Sequence, residues 1–297
     1  MRAIVTGGAG FIGSHLVDAL VERGDKVFVI DNFSTGKMEN INPRAQLINF
    51  DIRLLEKNVF RDWGNIDFIF HLAALPRVQY SIDHPEETND VNIGGTLNVI
   101  AMAAALSAKR LIYSSSSSIY GDQPVMPLKE DMPVNPMSPY ALQKFAAERY
   151  CQMLFKNAVC LRYFNVYGPR QNDKGSYPSA IAIFLKNKKT GAASIIFGGN
   201  QTRDFTWIGD VVKANILAAE SEKAGNGEVI NIGGGKNYTI NQLAKIIGGL
   251  YHYEPARKGE PRHTLADISK AYELLGWEPR MNLEEGIAEL KKLYGLA

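Results

Sequence analysis

Short apolar runs of strand length recur along the first half of the chain, separated by segments with helical periodicity. The runs read RAIV, KVFVID, QLINFD, DFIFHLAA, RLIYSS and VCLRYFNVYG. Between them, FIGSHLVDALVERG and GGTLNVIAMAAALSA repeat apolar residues at the spacing of one helix face. Strands that are apolar almost throughout and alternate with helices are typical of a parallel sheet covered on both faces. The pattern therefore predicts an α/β fold built on a doubly wound parallel sheet.

The regular alternation ends near Gly168, and the rest of the chain predicts a smaller α/β unit. We expect residues 1–167 to form the sheet domain and residues 168–297 to form this mostly C-terminal unit. The segments FTWIGDVV and EVINIG have the apolar character of sheet elements, so residues 205–237 are expected to return to the sheet domain. The second unit is therefore predicted to be discontinuous.

Two capping signals predict where helices begin in the C-terminal part. Thr239 is followed three residues later by Gln242, and Asn282 is followed in the same way by Glu285. Each pair precedes an apolar run. A hydroxyl or amide oxygen at the N-cap and a long polar side chain three residues on satisfy two of the unpaired N–H groups of a first helical turn.

Composition limits the classes of protein to consider. The 297 residues are 45% hydrophobic, and the formal net charge of +2 is spread without a block of like charges. This argues against a nucleic-acid partner, and no apolar run reaches the roughly 20 residues of a membrane span. Cys151 and Cys160 lack metal-ligand spacing and a disulfide framework, so we expect no metal and a reducing cytoplasm. We expect no signal peptide, because the sequence goes directly into the strand-like RAIV.

The turn after the first predicted strand is rich in glycine and opens the first predicted helix. In VTGGAGFIGSHLVDAL, Gly7, Gly10 and Gly13 occupy this turn, and Gly8 with the last two also gives the dinucleotide-binding spacing. Glycines here let backbone N–H groups approach a pyrophosphate, which the positive end of the helix stabilises. On its own, the same turn could serve only the packing of helix on strand.

Acidic residues end the next two predicted strands. Asp31 closes VFVID at 21 residues beyond Gly10, where a carboxylate accepts hydrogen bonds from the adenosine ribose hydroxyls. The same charge repels a 2′-phosphate, so the sequence favours NAD over NADP. Asp51 ends the third strand and could hold the adenine amino group or cap the next helix, and both interpretations stay open.

A tyrosine and a lysine in SPYALQK carry the candidate chemistry. Tyr140 and Lys144 are four residues apart, so both side chains lie on one face of a helix. An ammonium beside a phenol stabilises the phenolate and lowers its pKa, as a base near neutral pH requires. An isolated tyrosine and lysine at this spacing usually form a surface pair. Together with the glycine turn and Asp31, however, they are candidates for catalysis.

Five consecutive serines, residues 114–118, follow the fifth predicted strand. A serine run elsewhere would suggest a flexible linker. Ligands of doubly wound sheets bind at the carboxyl ends of the strands. The serines are therefore predicted to face the site.

The motifs, in their order, resemble the extended short-chain dehydrogenase/reductase family, and within it the NAD-dependent nucleotide-sugar 4-epimerases. TGGAGFIG, DNFSTG, HLAA, SSSSSIYGD, SPYALQK, LRYFNVYGPRQ, QTRDFTWIGDVV and LADISKA follow one another over nearly the whole chain. The resemblance implies a Rossmann sheet domain, bound NAD, a UDP-sugar substrate and a homodimer. We expect the dimer to form through helices near 94–107 and 139–155, which carry apolar residues such as Leu142, Phe145 and Met153 on more than one face.

The resemblance also implies the catalytic and cofactor-binding residues. Ser116, four residues before Tyr120 of the YG turn, would donate a hydrogen bond to the reacting sugar oxygen, beside Tyr140 and Lys144. Ser114 and Ser115 are expected to satisfy strand-end backbone, and Ser117 and Ser118 to shape the turn. The implied NAD-binding residues are Gly7, Gly10, Phe11, Ile12, Gly13, Asp31, Asn32, Ser34, Gly36, Asp51, Ile52, Leu72, Ala73, Ala74, Asn92, Ser114, Tyr140, Lys144 and Tyr163.

The implied substrate-binding residues are Ser116, Tyr140, Asn165, Phe197, Arg203, Arg257, Glu260 and Thr264. Asn165 would hold the phosphate or sugar, Phe197 would pack beside the uracil, and the two arginines would neutralise the diphosphate. Glu260 would accept a hydrogen bond from the uridine ribose. His71, at a strand end, is interpreted as a structural histidine.

The serine run bears on the reaction type through what it lacks. Relatives that eliminate water or decarboxylate the sugar place an acidic residue in this turn, whereas residues 114–120 contain neither Asp nor Glu. The sequence therefore favours a UDP-sugar 4-epimerase that acts through a 4-keto sugar. The alternatives are a 4-ketoreductase or dehydratase with the same tyrosine and lysine, or a non-catalytic NAD-sensing regulator, a class that tends to lose one of them.

Three stretches depart from the family pattern, and one further residue bears on the substrate. DIRLLEK does not carry the second acidic residue at the position where the family commonly has it after the third strand, and FGGNQ has Gly199 where the family often has Asp. The segment ALPRVQ, which is expected beside the nicotinamide, also differs from the family pattern. Thr264 stands where epimerases restricted to glucose and galactose carry a tyrosine, so we expect UDP-N-acetylglucosamine and UDP-N-acetylgalactosamine to be accepted besides, or in preference to, UDP-glucose and UDP-galactose. The alternative is that Thr264 only starts a loop and that neighbouring side chains fill the space.

Overall fold

A seven-stranded parallel sheet forms the centre of the fold. The computed structural model describes residues 1–55, 63–171, 179–256 and 261–296. The sheet strands are β1 (Arg2–Thr6), β2 (Lys26–Asp31), β3 (Gln46–Asn49), β4 (Phe68–His71), β5 (Arg110–Ser116), β6 (Ala158–Tyr163) and β11 (Glu228–Ile232). Their order is β11-β6-β5-β4-β1-β2-β3, which confirms the doubly wound α/β fold.

The central strands are apolar throughout because both faces of the sheet are covered. Neighbouring residues of β1 point to opposite faces, so Val5 lies in one hydrophobic core and Ile4 in the other. Helices α1 (Phe11–Glu22), α7 (Ile208–Glu220) and α9 (Ser269–Leu275) cover the first face. Helices α4 (Thr96–Ala105) and α5 (Pro139–Leu154) cover the second.

The short helices α2 (Val78–Asp83) and α3 (Pro85–Asn89) precede α4, and residues 90–95 form a π-helical turn that continues into it. Short 3₁₀ turns occupy residues 38–40, 52–54 and 117–120. None of the described helices has both the length and the apolar character needed to cross a lipid bilayer.

The remaining elements build a smaller unit with its own core. It contains α6 (Ala180–Thr190), α8 (Ile240–Ile247), α10 (Leu283–Tyr294), and strand pairs β8 (Ala193–Phe197) with β13 (Leu250–Glu254) and β9 (Thr202–Asp204) with β12 (Asn237–Thr239). Strands β7 (Val166–Tyr167) and β10 (Thr206–Trp207) pair beside it. Phe184, Leu243 and Ile287 lie in its core.

Both predicted capping signals are confirmed. The Thr239 side chain accepts a hydrogen bond from the Gln242 backbone N–H at 3.0 Å, and the Gln242 side chain accepts one from Thr239 N–H. Asn282 and Glu285 form the same reciprocal pair at the start of α10. These bonds fix both helix starts locally, so short-range sequence patterns were sufficient to find them.

The chain returns to the sheet domain with α7 and β11, and again with α9. Strand β11 pairs in parallel with β6, and α7 packs over the sheet. Helix α9 also lies against the sheet, through Ala271 and Leu275, although it belongs to the segment that the sequence pattern assigns to the second unit. Its two buried apolar residues form a patch too short to indicate which core it joins.

Candidate active site

A cleft of about 580 Å³ opens at the carboxyl ends of the central strands and is lined by residues of β2, β5 and β6 and by the loops that directly follow β1 and β4. It brings together most of the residues predicted to bind a cofactor. Those that line it are Gly7, Gly10, Phe11, Ile12, Gly13, Asp31, Asn32, Ser34, Asp51, Ile52, Leu72, Ala73, Ala74, Ser114, Tyr140, Lys144 and Tyr163. Gly36 and Asn92 are not among its lining residues.

The glycine turn between β1 and α1 has the form that a dinucleotide requires. Gly7 has φ +74°, and a Cβ built on it would lie 2.7 Å from the backbone nitrogen of Ala73. A Cβ on Gly13 would overlap the carbonyl oxygen of Gly7. The first turn of α1 carries no acidic residue, and its N–H groups lack intrahelical partners. The turn is thus a side-chain-free cradle at a helix N-terminus, and it fits the diphosphate of NAD.

Asp31 ends β2 at the cleft. Its carboxylate accepts hydrogen bonds from the backbone N–H groups of Ala9 at 2.9 Å and Phe33 at 2.8 Å. Burial raises the pKa of Asp31, and these two bonds oppose the rise. Gly36 lies behind it, since an added Cβ would approach the Asp31 carboxylate at 2.9 Å. Gly36 therefore leaves space for Asp31 without itself lining the cleft.

Asp51 caps the short 3₁₀ turn that follows β3. Its carboxylate accepts from the backbone N–H and the guanidinium of Arg53, each at 2.8 Å, and from the Asn32 amide at 2.8 Å. The Arg53 side chain is the main reason why the pKa of Asp51 falls to about 2. The capping interpretation is confirmed, whereas an adenine contact stays a prediction.

Asn92 and His71 support the wall of the cleft. The Asn92 side chain accepts from Leu75 N–H at 2.8 Å and donates to Gln143 Oε1 at 2.9 Å, so it holds the loop after β4 from behind. The two ring nitrogens of His71 share hydrogen bonds with the hydroxyls of Thr6 (2.7 Å) and Thr96 (2.9 Å). Burial lowers the pKa of His71 to about 3, which confirms it as a neutral structural residue.

Tyr140 is fixed in the first turn of α5. Ser138 caps this helix by accepting from Ala141 N–H at 3.2 Å, and Pro139 occupies the first helical position. The backbone N–H of Tyr140 donates to Ser81 Oγ of α2 at 3.0 Å. The Tyr140 phenol reaches β5 through a hydrogen bond with Ser116. Helix capping and two neighbouring elements thus hold the tyrosine at the cleft.

Lys144 lies one turn further along α5 and is fully buried. Its ammonium donates to the carbonyl oxygen of Ser114 at 2.6 Å and lies 4.9 Å from the centre of the Tyr113 ring. Burial lowers the pKa of Lys144 to about 8. The ammonium is therefore held in place by the end of β5.

The charge balance at Tyr140 differs from the sequence-based expectation. Burial raises the pKa of Tyr140, whereas the hydrogen bond with Ser116 and the positive charge of Arg77 lower it. The expected net decrease caused by Lys144 is thus wrong in direction. Desolvation of the phenolate outweighs the effects of Ser116 and Arg77, and sequence spacing does not report burial.

A buried polar network behind β5 was not found by the sequence patterns. Ser115 Oγ donates to Glu148 Oε2 at 2.6 Å, so Ser115 does not simply satisfy strand-end backbone as expected. Arg162 donates two hydrogen bonds to the same carboxylate, from Nε at 3.0 Å and from a terminal nitrogen at 2.7 Å. Arg162 also donates to the Tyr120 hydroxyl at 2.8 Å, and this hydroxyl donates to Asn231. A charged residue inside the apolar run LRYF is the signal that could have indicated the network.

Most of the predicted substrate residues line the cleft or a pocket next to it. Ser116, Tyr140, Asn165, Arg203 and Thr264 line the cleft, and Asn165, Phe197 and Arg203 line an adjoining pocket of about 290 Å³. Arg257 and Glu260 lie outside the described residues. The cleft thus continues into a second space next to the residues predicted to hold the uridine diphosphate.

Asp204 organises this side of the cleft from a buried position. Its backbone N–H donates to Thr264 Oγ1 at 3.2 Å, and its carbonyl accepts from the Asn165 amide at 3.0 Å. The carboxylate accepts from the N–H groups of Gly235 at 3.2 Å and Ala266 at 3.0 Å. Burial raises the pKa of Asp204 to about 6 despite these bonds. Asp204 thereby links Thr264 and Asn165 into one wall.

Comparison with known proteins gives matches over the full fold. The sequence profile of the NAD dependent epimerase/dehydratase family matches residues 3–233. A UDP-glucose 4-epimerase of Mycolicibacterium smegmatis is 36% identical over 99% of this chain and 98% of its own length. Among solved structures, UDP-glucose 4-epimerase from Thermotoga maritima with UDP-glucose has a TM-score of 0.91 at 38% identity, covering 99% of both chains. UDP-N-acetylglucosamine 4-epimerase from Methanobrevibacter ruminantium, in complex with UDP-N-acetylmuramic acid, has the same TM-score and identity over 99% of this chain and 97% of its own.

Proposed function

Because the chain belongs to the NAD dependent epimerase/dehydratase family, we propose that it is a UDP-sugar 4-epimerase that keeps NAD bound. The single observation that carries this proposal is the lining of one cleft by the glycine turn, Asp31, Ser116, Tyr140 and Lys144. The substrates are UDP-glucose and UDP-galactose, together with their N-acetylamino counterparts.

The residues of the cleft divide the work of binding. The glycine turn and Asp31 hold the diphosphate and adenosine ribose of NAD, and Lys144 lies beside Tyr140 on α5. When bound, NAD supplies a hydride acceptor and donor at the sugar C4. Arg203 faces both the cleft and the adjoining pocket, a position suited to the diphosphate of the UDP-sugar.

Tyr140 transfers the proton, and Ser116 orients the sugar oxygen that loses it. Ser116 donates a hydrogen bond to the sugar O4, and Tyr140 removes the O4 proton as C4 loses its hydride. The resulting 4-keto sugar turns within the cleft. Tyr140 then returns the proton to O4 as the opposite face of C4 is reduced.

Epimerisation fits the site better than elimination or decarboxylation. Among the described residues, the carboxylates that line the cleft are Asp31, Asp51 and Glu87. The first two accept backbone or arginine N–H groups, and Glu87 accepts the Tyr80 hydroxyl at 2.6 Å. Each already has a partner, and the hydroxyl of Tyr163, the other tyrosine among the described lining residues, donates to Asn215. Tyr140 therefore remains as the proton shuttle that a 4-epimerase requires.

The test is incubation of the purified protein with UDP-glucose, UDP-N-acetylglucosamine or UDP-glucuronate, with product analysis by proton NMR. We expect the 4-epimer to appear without added cofactor, because the protein retains NAD. The denatured protein should release nucleotide. Activity that depends strictly on added NADPH, with no nucleotide in the denatured extract, would instead indicate a ketoreductase.

The protein is further proposed to act as a homodimer in a reducing cytoplasm. Leu142 and Met153 of α5 are 57% and 62% exposed, so they are available to a second copy, whereas Phe145 is partly buried against the protein's own core. The free thiols Cys151 and Cys160 are both buried, in keeping with a compartment where disulfides are not formed. A monomer mass in light scattering at micromolar concentration would exclude the dimer.

A further inference from the structure

The loop after β4 brings a cation into the cleft at the point where its sequence departs from the family pattern. Arg77 of ALPRVQ is the residue before α2, lines the cleft with Tyr140 and is partly buried. Within the described ranges, its guanidinium makes neither a hydrogen bond nor an ion pair. A charge withdrawn from water without a partner is costly, so the position of Arg77 calls for an anion.

Arg77 is connected to Tyr140 by a short chain of hydrogen bonds. The carbonyl oxygen of Arg77 accepts from Ser81 N–H at 3.0 Å, and Ser81 Oγ accepts from Tyr140 N–H at 3.0 Å. Ser81 Oγ also donates to Val78 O at 2.6 Å. One turn of α2 therefore fixes the backbone of Arg77 relative to the start of α5.

In the part of the chain that the structure describes, the neighbouring elements present few other charges to the Tyr140 phenol. Helix α5 contributes Lys144, which is held by the Ser114 carbonyl, and β5 contributes the hydroxyls of Ser116 and Tyr113. His71 of β4 is neutral, with a pKa of about 3. The carboxylate of Glu87, on α3, is engaged by Tyr80.

Among the described residues, Lys144 and Arg77 are the cations that line the cleft beside Tyr140, and Arg77 is the one that keeps its charge. Burial lowers the pKa of Lys144 to about 8, so Lys144 loses its proton as the pH rises through this value. A guanidinium stays charged throughout that range. The charge of Arg77 already lowers the pKa of Tyr140, and the two groups act on each other.

We propose that Arg77 is a positioning residue of the acid/base site, whose guanidinium serves as the charge partner of Tyr140 when the phenol has lost its proton. The proposal rests on the proposed function only for its kinetic consequence. Tyr140 supplies the anion that Arg77 lacks, and Arg77 stabilises the form of Tyr140 that accepts the sugar proton. This assignment goes beyond the tyrosine, lysine and serine that the family resemblance supplies.

The test compares Arg77→Gln and Arg77→Lys with the wild type by ultraviolet titration of tyrosinate. The signal of Tyr140 is isolated by subtracting the matching Tyr140→Phe protein. We expect Arg77→Gln to raise the pKa of Tyr140 by about one unit, equivalent to about 1.4 kcal/mol, and Arg77→Lys to restore most of the wild-type value. Arg53→Gln is the control, because Arg53 lines the same cleft but pairs with Asp51 and Asp90, and it should leave the titration unchanged.

The pH dependence of kcat/KM for UDP-glucose gives a second readout. Removal of a positive charge raises the pKa of the base, so the acidic limb of the Arg77→Gln profile should move to higher pH. The rate at pH 7 should fall about tenfold and recover as the pH rises.

An unchanged Tyr140 titration in Arg77→Gln, or a loss of rate equal at every pH, would overturn the proposal. If the wild type converts no UDP-sugar, the proposed function fails, and the titration alone decides the role of Arg77. If Arg77→Gln does not fold, Arg77→Met takes its place in both measurements.

Discussion

Replacing Glu148 by Gln tests the buried network that supports the serine strand. Glu148 and Arg162 have side chains only 1% and 4% exposed, and two arginine N–H groups and the Ser115 hydroxyl converge on the one carboxylate. Glutamine keeps the shape and one carbonyl acceptor but removes the charge. Its amide N–H₂ would then face a donor, and Arg162 would remain as a buried cation without a counterion.

The expected cost follows from this stranded charge. Removing one partner of a buried ion pair costs about 3–5 kcal/mol, and the carbonyl that Gln retains places this variant near 3 kcal/mol. For a chain of this size, roughly 2 °C of melting temperature is lost per kcal/mol, so we expect a decrease of about 6 °C. Activity should fall as well, because the one amide oxygen cannot serve all the donors of Arg162 and Ser115, and Ser115 lies directly beside Ser116.

Urea and thermal unfolding, followed by circular dichroism, measure the effect against a matched exposed pair. Glu289 and Lys292 of α10 are 2.7 Å apart, with side chains 49% and 62% exposed, so Glu289→Gln should change stability by about 0.5 kcal/mol or less. Equal effects of Glu148→Gln and Glu289→Gln would refute the argument. The double variant Glu148→Leu/Arg162→Met should recover much of the loss, since it strands no charge, and failure to recover would count against the stated cause.

Three further predictions concern the chemistry of the cleft. Tyr140→Phe should lower kcat by about 10²–10⁴ while the fold and bound NAD remain, and a rate above about a tenth of wild type would exclude Tyr140 as the acid/base. Asp31→Ser should weaken NAD retention by about tenfold or more through loss of a charged acceptor and should relax the discrimination against NADP, as measured by nucleotide titration. Equal discrimination in the variant and wild type would contradict the ribose role. Thr264→Tyr should selectively suppress turnover of N-acetylhexosamine substrates, because the ring would occupy space beside the sugar, whereas Thr264→Val, which keeps the size, should preserve the substrate ratio. If the tyrosine variant loses both substrate classes equally in kcat/KM, Thr264 is not the gate.

Local sequence patterns were sufficient wherever neighbouring residues determine the structure. The apolar runs of the first half predicted β1 to β6, and EVINIG predicted the return to the sheet domain that contains β11. Thr239 and Asn282 marked helix starts because an N-cap bond spans three residues. The glycine turn and Asp31 were found because the motif that joins a tight turn to the end of the next strand lies within about thirty residues of sequence. The family and the identities of Tyr140 and Lys144 likewise followed from ordered motifs.

Tertiary structure decided the properties that depend on distant groups. The charge environment of Tyr140 depends on Arg77, which lies 63 residues earlier in the chain and is brought near it when α2 packs on α5. Ser115 was expected to hydrogen-bond with backbone groups at the end of the strand. Its hydroxyl instead donates to Glu148, which forms an ion pair with Arg162. Burial sets the direction of the Tyr140 pKa shift, and neither burial nor such pairing has a local signature in the sequence. The sequence alone therefore determined which chemical groups the protein carries and the sheet that presents them, whereas only the packed fold determined which charges act on each group, because electrostatic energies depend on spatial distance and desolvation.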